Sequence, residues 1–414
     1  MQIVVIGAGA AGMVAAAEAA KRGANVILLE KNTKTGVKIL MSGGTRCNVT
    51  HDTDARGILP GFGHASRFLQ PTIGAFPPSE VVRMFADLGV ATKVESTGKV
   101  FPQSDRAIEV RDALQRQAVE SGVQIIRQQS VQRLTRRDEH WLIETDDESY
   151  AADRVIVTAG GRSWPGCGTT GDGYGWLEKL GHSIVDTRPA LVPLTGGFEW
   201  TKALSGITLE DCVVTAENQT SEAKKSKQSM SRRSSWLFTH FGFSGPAAMD
   251  VSRIVTLTEK LSRVRVQLDM APDVSAEAIE ATLCDTAGGA GRRRLSNVLN
   301  QWVPSRLATA VASEMCGDPT IAELTKTGRR ATVTGIKQLA LPITGTRGFS
   351  KAEVTAGGVS LKEVNPRTME SRVAKGLYIA GEVLDVDGWI GGYNFQAAFS
   401  TGRAAGIAAA TAEG

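Results

Sequence analysis

Residues fit for chemistry gather at the two ends of this chain. Gly7, Gly9 and Gly12 stand at G-x-G-x-x-G spacing, with Ala10 and Ala11 between the last two. Glycines so spaced make a tight turn, let backbone approach a pyrophosphate and let a helix pack close to a strand. Glu30 follows; a carboxylate there accepts hydrogen bonds from a ribose diol and repels a 2′-phosphate. Further on, "SGGTRCN" (residues 42–48) sets bare backbone at Gly43 and Gly44 beside the polar tips of Ser42, Arg46, Cys47 and Asn48. Near the other end, Gly381-Glu382 precedes a glycine-rich loop, residues 388–392, and then Tyr393-Asn394-Phe395.

The elements around these residues give them their meaning. Ile3, Val4, Val5 and Ile6 form an apolar strand; an alanine-rich helix runs to Gly23; "NVILLE" is a second strand ending at Glu30. Strand, glycines, helix, strand and acid fall in register for dinucleotide binding, with the pyrophosphate at the helix N-terminus. The fingerprint does not separate NAD from FAD. Residues 376–380 predict a strand, and an Ala/Gly-rich helix begins near Tyr393. The positive end of that helix would stabilise negative charge on a reduced flavin, which nicotinamide, neutral on reduction, needs less. "RVIVTAGG" is another strand, and Ala159-Gly160-Gly161 frees backbone at its carboxyl edge, where ligands bind in such sheets. Val131 opens a small meander and is expected beside the adenine.

No second strand–glycine–helix unit occurs; "GGAGRRRL" (288–295) lacks the leading strand. The expectation is therefore an α/β protein with one Rossmann-like domain split between both chain ends, 1–189 and 346–414. Helical periodicity is expected at 79–90 and 105–122. A mostly β, barrel-like insertion is expected at 190–272 and 331–345, with "SSWLFTHFGFSGPAAM" and "ATVTGIKQLALPITGTRGFSKAEVT" read as strands. A helical subdomain is expected at 273–330.

With 414 residues, 42% hydrophobic and 22% charged, the composition is globular and allows two or three domains. A formal charge of +4, from 47 basic and 43 acidic residues, favours no polyanionic partner. The basic stretch "NQTSEAKKSKQSMSRRSS" has no interleaved aromatics, so a solvated hairpin loop is expected rather than a nucleic-acid surface. The five cysteines are scattered without C-x-x-C, as in a reducing cytoplasm, and the five histidines have no metal spacing. No apolar run approaches a membrane span, and the chain opens on a strand rather than a leader. No metal, membrane or nucleic-acid partner is expected.

The chain resembles the bacterial flavoproteins called BaiN-like or YhiN-like, some of which carry the name aminoacetone oxidase, within the wider glutathione-reductase-type fold. The resemblance rests on "GAGAAG", "SGGTRCNVT", "TAGGRSWPGCGTTGDGYGWLEKLGHSI", "LFTHFGFSGPA" and the block from "AEVTAGGV" to "FQAAFSTG". Thr45 departs from it, since the family has a third glycine there. The resemblance implies noncovalent FAD, with Gly7, Gly9, Ala10, Ala11 and Gly12 on the pyrophosphate, Glu30 on the ribose and Lys31 flanking the adenosine. Lys38, Ser42, Gly43, Gly44, Arg46, Cys47 and Asn48 would line the flavin side, and Ala159 and Gly160 a second wall. Gly381 and Glu382 would meet the ribityl–phosphate part, while Gly392, Tyr393, Asn394 and Phe395 close on the ring.

A flavin carries the hydride chemistry, so the protein must place a substrate and supply a proton. Arg46 (through bound water), Tyr174, His240 and Tyr393 are the candidate donors. The expected reaction is reduction of a small organic acceptor by NAD(P)H as transient reductant. An oxidase of a small amine is the alternative, and an RNA-associated flavoprotein a further one.

Overall fold

The computed structural model describes residues 1–219, 228–285 and 291–411. They form two compact units, one of Met1–Pro189 with Glu353–Gly414 and one of Ala190–Ala352.

The first unit is built on a five-stranded parallel sheet, ordered Leu377–Ile379, Arg154–Val157, Gln2–Ile6, Asn25–Glu30, Gln124–Arg127. The apolar run Ile3–Ile6 takes the central place because both of its faces are buried. The late strand Leu377–Ile379 docks beside Arg154–Val157, so the end of the chain completes the sheet begun by its start. An antiparallel meander, Val131–Arg137, His140–Thr145 and Ser149–Ala152, leads into Arg154–Val157.

The helix Tyr393–Thr411 makes its tightest approach to the first helix, Ala10–Ala20. A β-carbon on Gly402 or Gly406 would run into the carbonyl oxygens of Ala11 and Ala15. Small residues on both helices thus set the separation, with Gly402 beside Ala11 and Gly406 beside Ala15. The expected helices appear as Pro78–Asp87 and Ala107–Glu120.

The second unit carries a seven-stranded antiparallel sheet, ordered Leu339–Leu341, Val264–Asp269, Thr208–Asn218, Ser229–Thr239, Gly242–Ser244, Leu194–Gly196, Ile343–Thr346. Its two edge strands are consecutive in the chain, separated only by Pro342, so the segment turns from one edge to the other in barrel-like fashion. Helices Ala276–Cys284, Leu295–Leu299, Ser305–Cys316 and Lys326–Lys337 share an apolar core with this sheet.

Two sequence expectations change here. "GPAAM" starts a helix, Pro246–Leu257, with proline in its first turn, where a missing N–H costs nothing. "ATVTGIK" lies in the helix Lys326–Lys337 despite its β-branched residues. The Thr325 side chain caps it by accepting from the Gly328 N–H, and Gly328, Thr332, Gly335 and Ile336 bury one face. Among the described residues no helix is long and apolar enough to cross a membrane.

Candidate functional site

The fingerprint turn folds as a cradle. Gly9 caps the helix Ala10–Ala20 with extended backbone and no side-chain cap, and the first intrahelical bond runs from the Met13 N–H to the Gly9 carbonyl at 3.0 Å. The N–H groups of Ala10, Ala11 and Gly12 thus precede the hydrogen-bonded ladder and suit an anion. Gly12 leaves no room for a side chain, since a β-carbon would overlap the Gly7 carbonyl oxygen. Gly7 lies against Thr158 and Ala159, and Gly381 against Ala11, so these strand ends converge on the helix start.

Glu30 is buried. One oxygen accepts from the Ala8 N–H at 3.0 Å, and the other from the Asn32 backbone and side chain at 2.9 and 2.8 Å. A carboxylate offers about four acceptor sites, so capacity remains for a hydroxyl. Lys31 is held by Asp172 at 2.5 Å and Thr170 at 2.7 Å. Val131 is buried two residues beyond Gln129, whose N–H meets the Glu30 carbonyl at 2.9 Å.

The loop at 42–48 runs left-handed through Gly43 (φ 54°), Gly44 (φ 66°) and Thr45 (φ 71°), and again at Cys47 (φ 61°). Thr45 is the strained member, because a β-branched residue there crowds its own carbonyl. Thr45→Gly is expected to stabilise the protein by about 1 kcal/mol in urea unfolding; an unchanged or lower midpoint would show that the threonine is relaxed.

Cys47 is fully buried. Burial pushes its thiol up to about 12, against a Ser42 hydrogen bond that pulls the other way, so it is no thiolate at neutral pH. Iodoacetamide in mildly alkaline buffer should label exposed Cys284 and spare Cys47, as read by peptide mass mapping; rapid labelling of Cys47 would contradict its burial.

Arg46 pairs with Glu95 at 2.6 Å and Asp105 at 3.5 Å, with its guanidinium 4.0 Å from the Phe101 ring centre. Its charge is thus largely offset. Asn48 is buried, and its Oδ1 has no partner among the described residues.

Lys38 reaches across the unit. Its ammonium donates to Ser163 Oγ and Glu382 Oε2, each at 2.5 Å. Glu382 Oε1 accepts from Ser163 Oγ at 2.7 Å and from the Thr355 N–H at 3.0 Å. Ala159 and Gly160 are partly buried at the adjoining strand end. Tyr174 is buried near Glu382, and its hydroxyl lacks a partner among the described residues. Burial first, and Glu382 second, raise its phenol above the usual range.

The carboxyl-terminal loop closes on itself. Asn394 accepts from the Gly388 N–H at 2.8 Å and donates to the Gly388 and Trp389 carbonyls. Gly392 lies flush against the Thr50 backbone. The Tyr393 ring sits among His51, Phe62 and Trp389, with centroids 5.2, 5.9 and 5.7 Å away, and Phe395 stacks on Phe399 at 5.7 Å. His240 is exposed and belongs to the second unit.

Sequence reasoning missed Ser163, Glu353 and Thr355. Their signal was a hydroxyl just after "AGG" and an acid and a threonine opening the fully buried strand Val354–Val359. Of the basic stretch, residues 220–227 lie outside the described residues. Its last seven residues open the strand Ser229–Thr239, in which Arg232 pairs with Asp250 at 2.8 Å and Arg233 with Asp211 and Asp273 at 2.6 and 2.7 Å. From Ser229 on, the stretch is therefore strand rather than loop, paired antiparallel with Thr208–Asn218.

The family model described as "HI0933-like protein Rossmann domain" matches residues 1–408. The ribosomal RNA dihydrouridine synthase of Escherichia coli K12 is 31% identical over 402 residues, 96% of this chain and 95% of that protein. The 3-dehydro-bile acid delta(4,6)-reductase of Clostridium scindens is 31% identical over 414 residues, 99% of each chain. In fold, the chain is similar to the 3-ketosteroid-delta4-(5alpha)-dehydrogenase of Rhodococcus jostii RHA1, with TM-score 0.50 and 16% identity over 99% of this chain and 96% of that one. The chain belongs to the HI0933-like Rossmann family, a family of FAD-dependent flavoprotein oxidoreductases.

Proposed function

We propose that the protein passes hydride from NAD(P)H, by way of noncovalently held FAD, to a carbon–carbon double bond conjugated with a carbonyl in a small organic acceptor. The observation that carries this reading is the chemistry shared by its full-length relatives. Making dihydrouridine saturates a ring double bond beside a carbonyl, and the name delta(4,6)-reductase describes saturation of double bonds in a 3-dehydro compound. The substrates differ while the type of bond does not.

The residues present fit FAD. Glu30 retains acceptor capacity for a ribose hydroxyl. Asn48 Oδ1 and the Tyr174 hydroxyl are buried polar atoms lacking a partner, which a ligand's polar groups would satisfy. FAD, when bound, supplies hydride transfer. The chain's own part is to hold and shield. The N–H groups at Ala10–Gly12 would hold the pyrophosphate, the Lys38–Glu382 pair would orient the polar chain between phosphate and ring, and Asn48 would satisfy a polar group of the ring. Tyr393 and its aromatic neighbours exclude water.

A second reading places the same chemistry on uridine in ribosomal RNA, favoured by the Escherichia coli relative. Against it, Arg232 and Arg233 already pair with carboxylates. The test is reoxidation of the reduced, FAD-loaded protein by cyclohexenone, by an unmodified ribosomal RNA transcript or by oxygen. Fast reaction with the enone supports the proposal. Reaction with RNA alone supports the second reading, and reaction with oxygen alone indicates the amine oxidase.

A further inference from the structure

Two segments of the second unit, "LFTHFGFSGPA" and "LPITGTRGF", supply the strands on either side of Leu194–Gly196. Side chains alternate across a strand, so residues directly opposite one another share a face. One row, Phe238, Phe243 and Leu194, is fully buried in the apolar core of the unit. The next row, on the other face, runs Thr239, Gly242, Thr195 and Gly345. Two hydroxyls thus alternate with two positions of bare backbone. Glycine inside a sheet weakens it and marks a place where a ligand approaches the backbone.

The hydroxyls have room for a partner. A β-carbon on Gly345 would come within 3.3 Å of Thr195 Oγ1, which accepts from Thr344 at 3.2 Å. Thr239 is only 9% exposed, and its hydroxyl has no partner among the described residues. A buried hydroxyl left unpaired is costly, and a polar group laid on this row would satisfy it.

A cation stands at the same row. Arg347 comes two residues after Gly345, so alternation puts it on the same face, and its N–H donates to the Pro193 carbonyl at 3.0 Å. Its guanidinium lies 4.4 Å from the ring centre of Phe241, in the turn between Thr239 and Gly242. His240 meets that ring edge-on, with centroids 5.1 Å apart. Arg46, Arg232 and Arg233 are each paired with carboxylates. Among the described residues Arg347 has no such pair, and its guanidinium touches only the ring. The aromatic face holds the guanidinium plane and leaves its N–H donors for a ligand. One arginine matches one negative charge, and its planar fork matches the two oxygens of a carboxylate.

We propose that Arg347 and the row Thr239–Gly242–Thr195–Gly345 form a recognition site for a flat, conjugated organic carboxylate. The carboxylate takes the Arg347 fork, and the flat body lies over the bare backbone of the two glycines. This deepens the proposed function by naming the class of acceptor, and it rests on that reading only in calling the ligand an acceptor. As acceptor, such an acid takes up two electrons from NAD(P)H and two protons, and becomes the saturated acid.

The test uses the FAD-loaded full chain, with trans-cinnamate as probe and uncharged cinnamyl alcohol as control, in titration calorimetry. Wild type should bind cinnamate more tightly than the alcohol. Arg347→Met, which keeps a stem on Phe241 without the charge, should weaken cinnamate by about 30-fold and leave the alcohol unchanged. Arg347→Lys should fall between, because it keeps the charge and loses the fork. Thr239→Val should weaken cinnamate by about 5-fold while the urea midpoint holds or rises, since the hydroxyl has no partner to lose. A wild type that does not prefer cinnamate to the alcohol, or an Arg347→Met protein that binds cinnamate as wild type does, overturns the site. Cinnamate that binds through Arg347 but does not reoxidise the dithionite-reduced protein leaves the site standing and defeats its reading as an acceptor site.

Discussion

Gly12→Ala is expected to purify without FAD. The added methyl would overlap the Gly7 carbonyl oxygen and meet Thr158 Oγ1 at 2.6 Å. Backbone cannot swing aside as a side chain can, so the helix Ala10–Ala20 must slide away from the strand. Its partner helix Tyr393–Thr411 resists, because Gly402 and Gly406 already touch the first helix's backbone. Overpacking of this kind costs about 3 kcal/mol, and the same displacement at the cradle lowers FAD affinity by about 100-fold. Flavin absorbance after reconstitution and urea unfolding of the apoprotein measure the two effects. A variant that binds FAD as wild type does would show that helix and turn are further apart than the structure has them.

Glu382→Ala is the second large effect. It strips the acceptor from three donors at once, Lys38, Ser163 and the Thr355 N–H, and leaves the Lys38 ammonium with Ser163 alone. The side chains of Lys38 and Glu382 are 25% and 20% exposed, so water recovers part of the loss. The expected destabilisation is about 2–3 kcal/mol, short of a fully buried pair. Lys38→Met placed on top should restore part of it, because the unpaired charge goes. A double-mutant cycle in urea checks this; additive losses would mean that the pair does not couple.

What was legible in the sequence follows from the range of the interactions. The strand, glycine turn, helix and acid from Gln2 to Glu30 are encoded by neighbours, through period, spacing and a turn that only glycine satisfies. The closing strand and helix were readable for the same reason. The partners of the site were not. Lys38 meets Glu382 across 344 positions, and Arg46 meets Glu95 across 49, so no local pattern records either pair. The helix Lys326–Lys337 was misread because Thr332, Val333 and Thr334 favour strand locally, while the Thr325 cap and one buried face decide otherwise.

The resemblance read from "SGGTRCN" and the carboxyl-terminal block named the family that the full-length comparisons then established. The structure adds that this loop is held left-handed over three consecutive residues with a threonine in the third place.

The central claim is tested most directly by anaerobic titration of the FAD-reconstituted protein with NADPH and, separately, NADH. The account predicts a yellow protein whose flavin absorbance bleaches in proportion to the nicotinamide added. A protein that stays colourless after reconstitution, or a bound flavin that neither nicotinamide reduces, would contradict it.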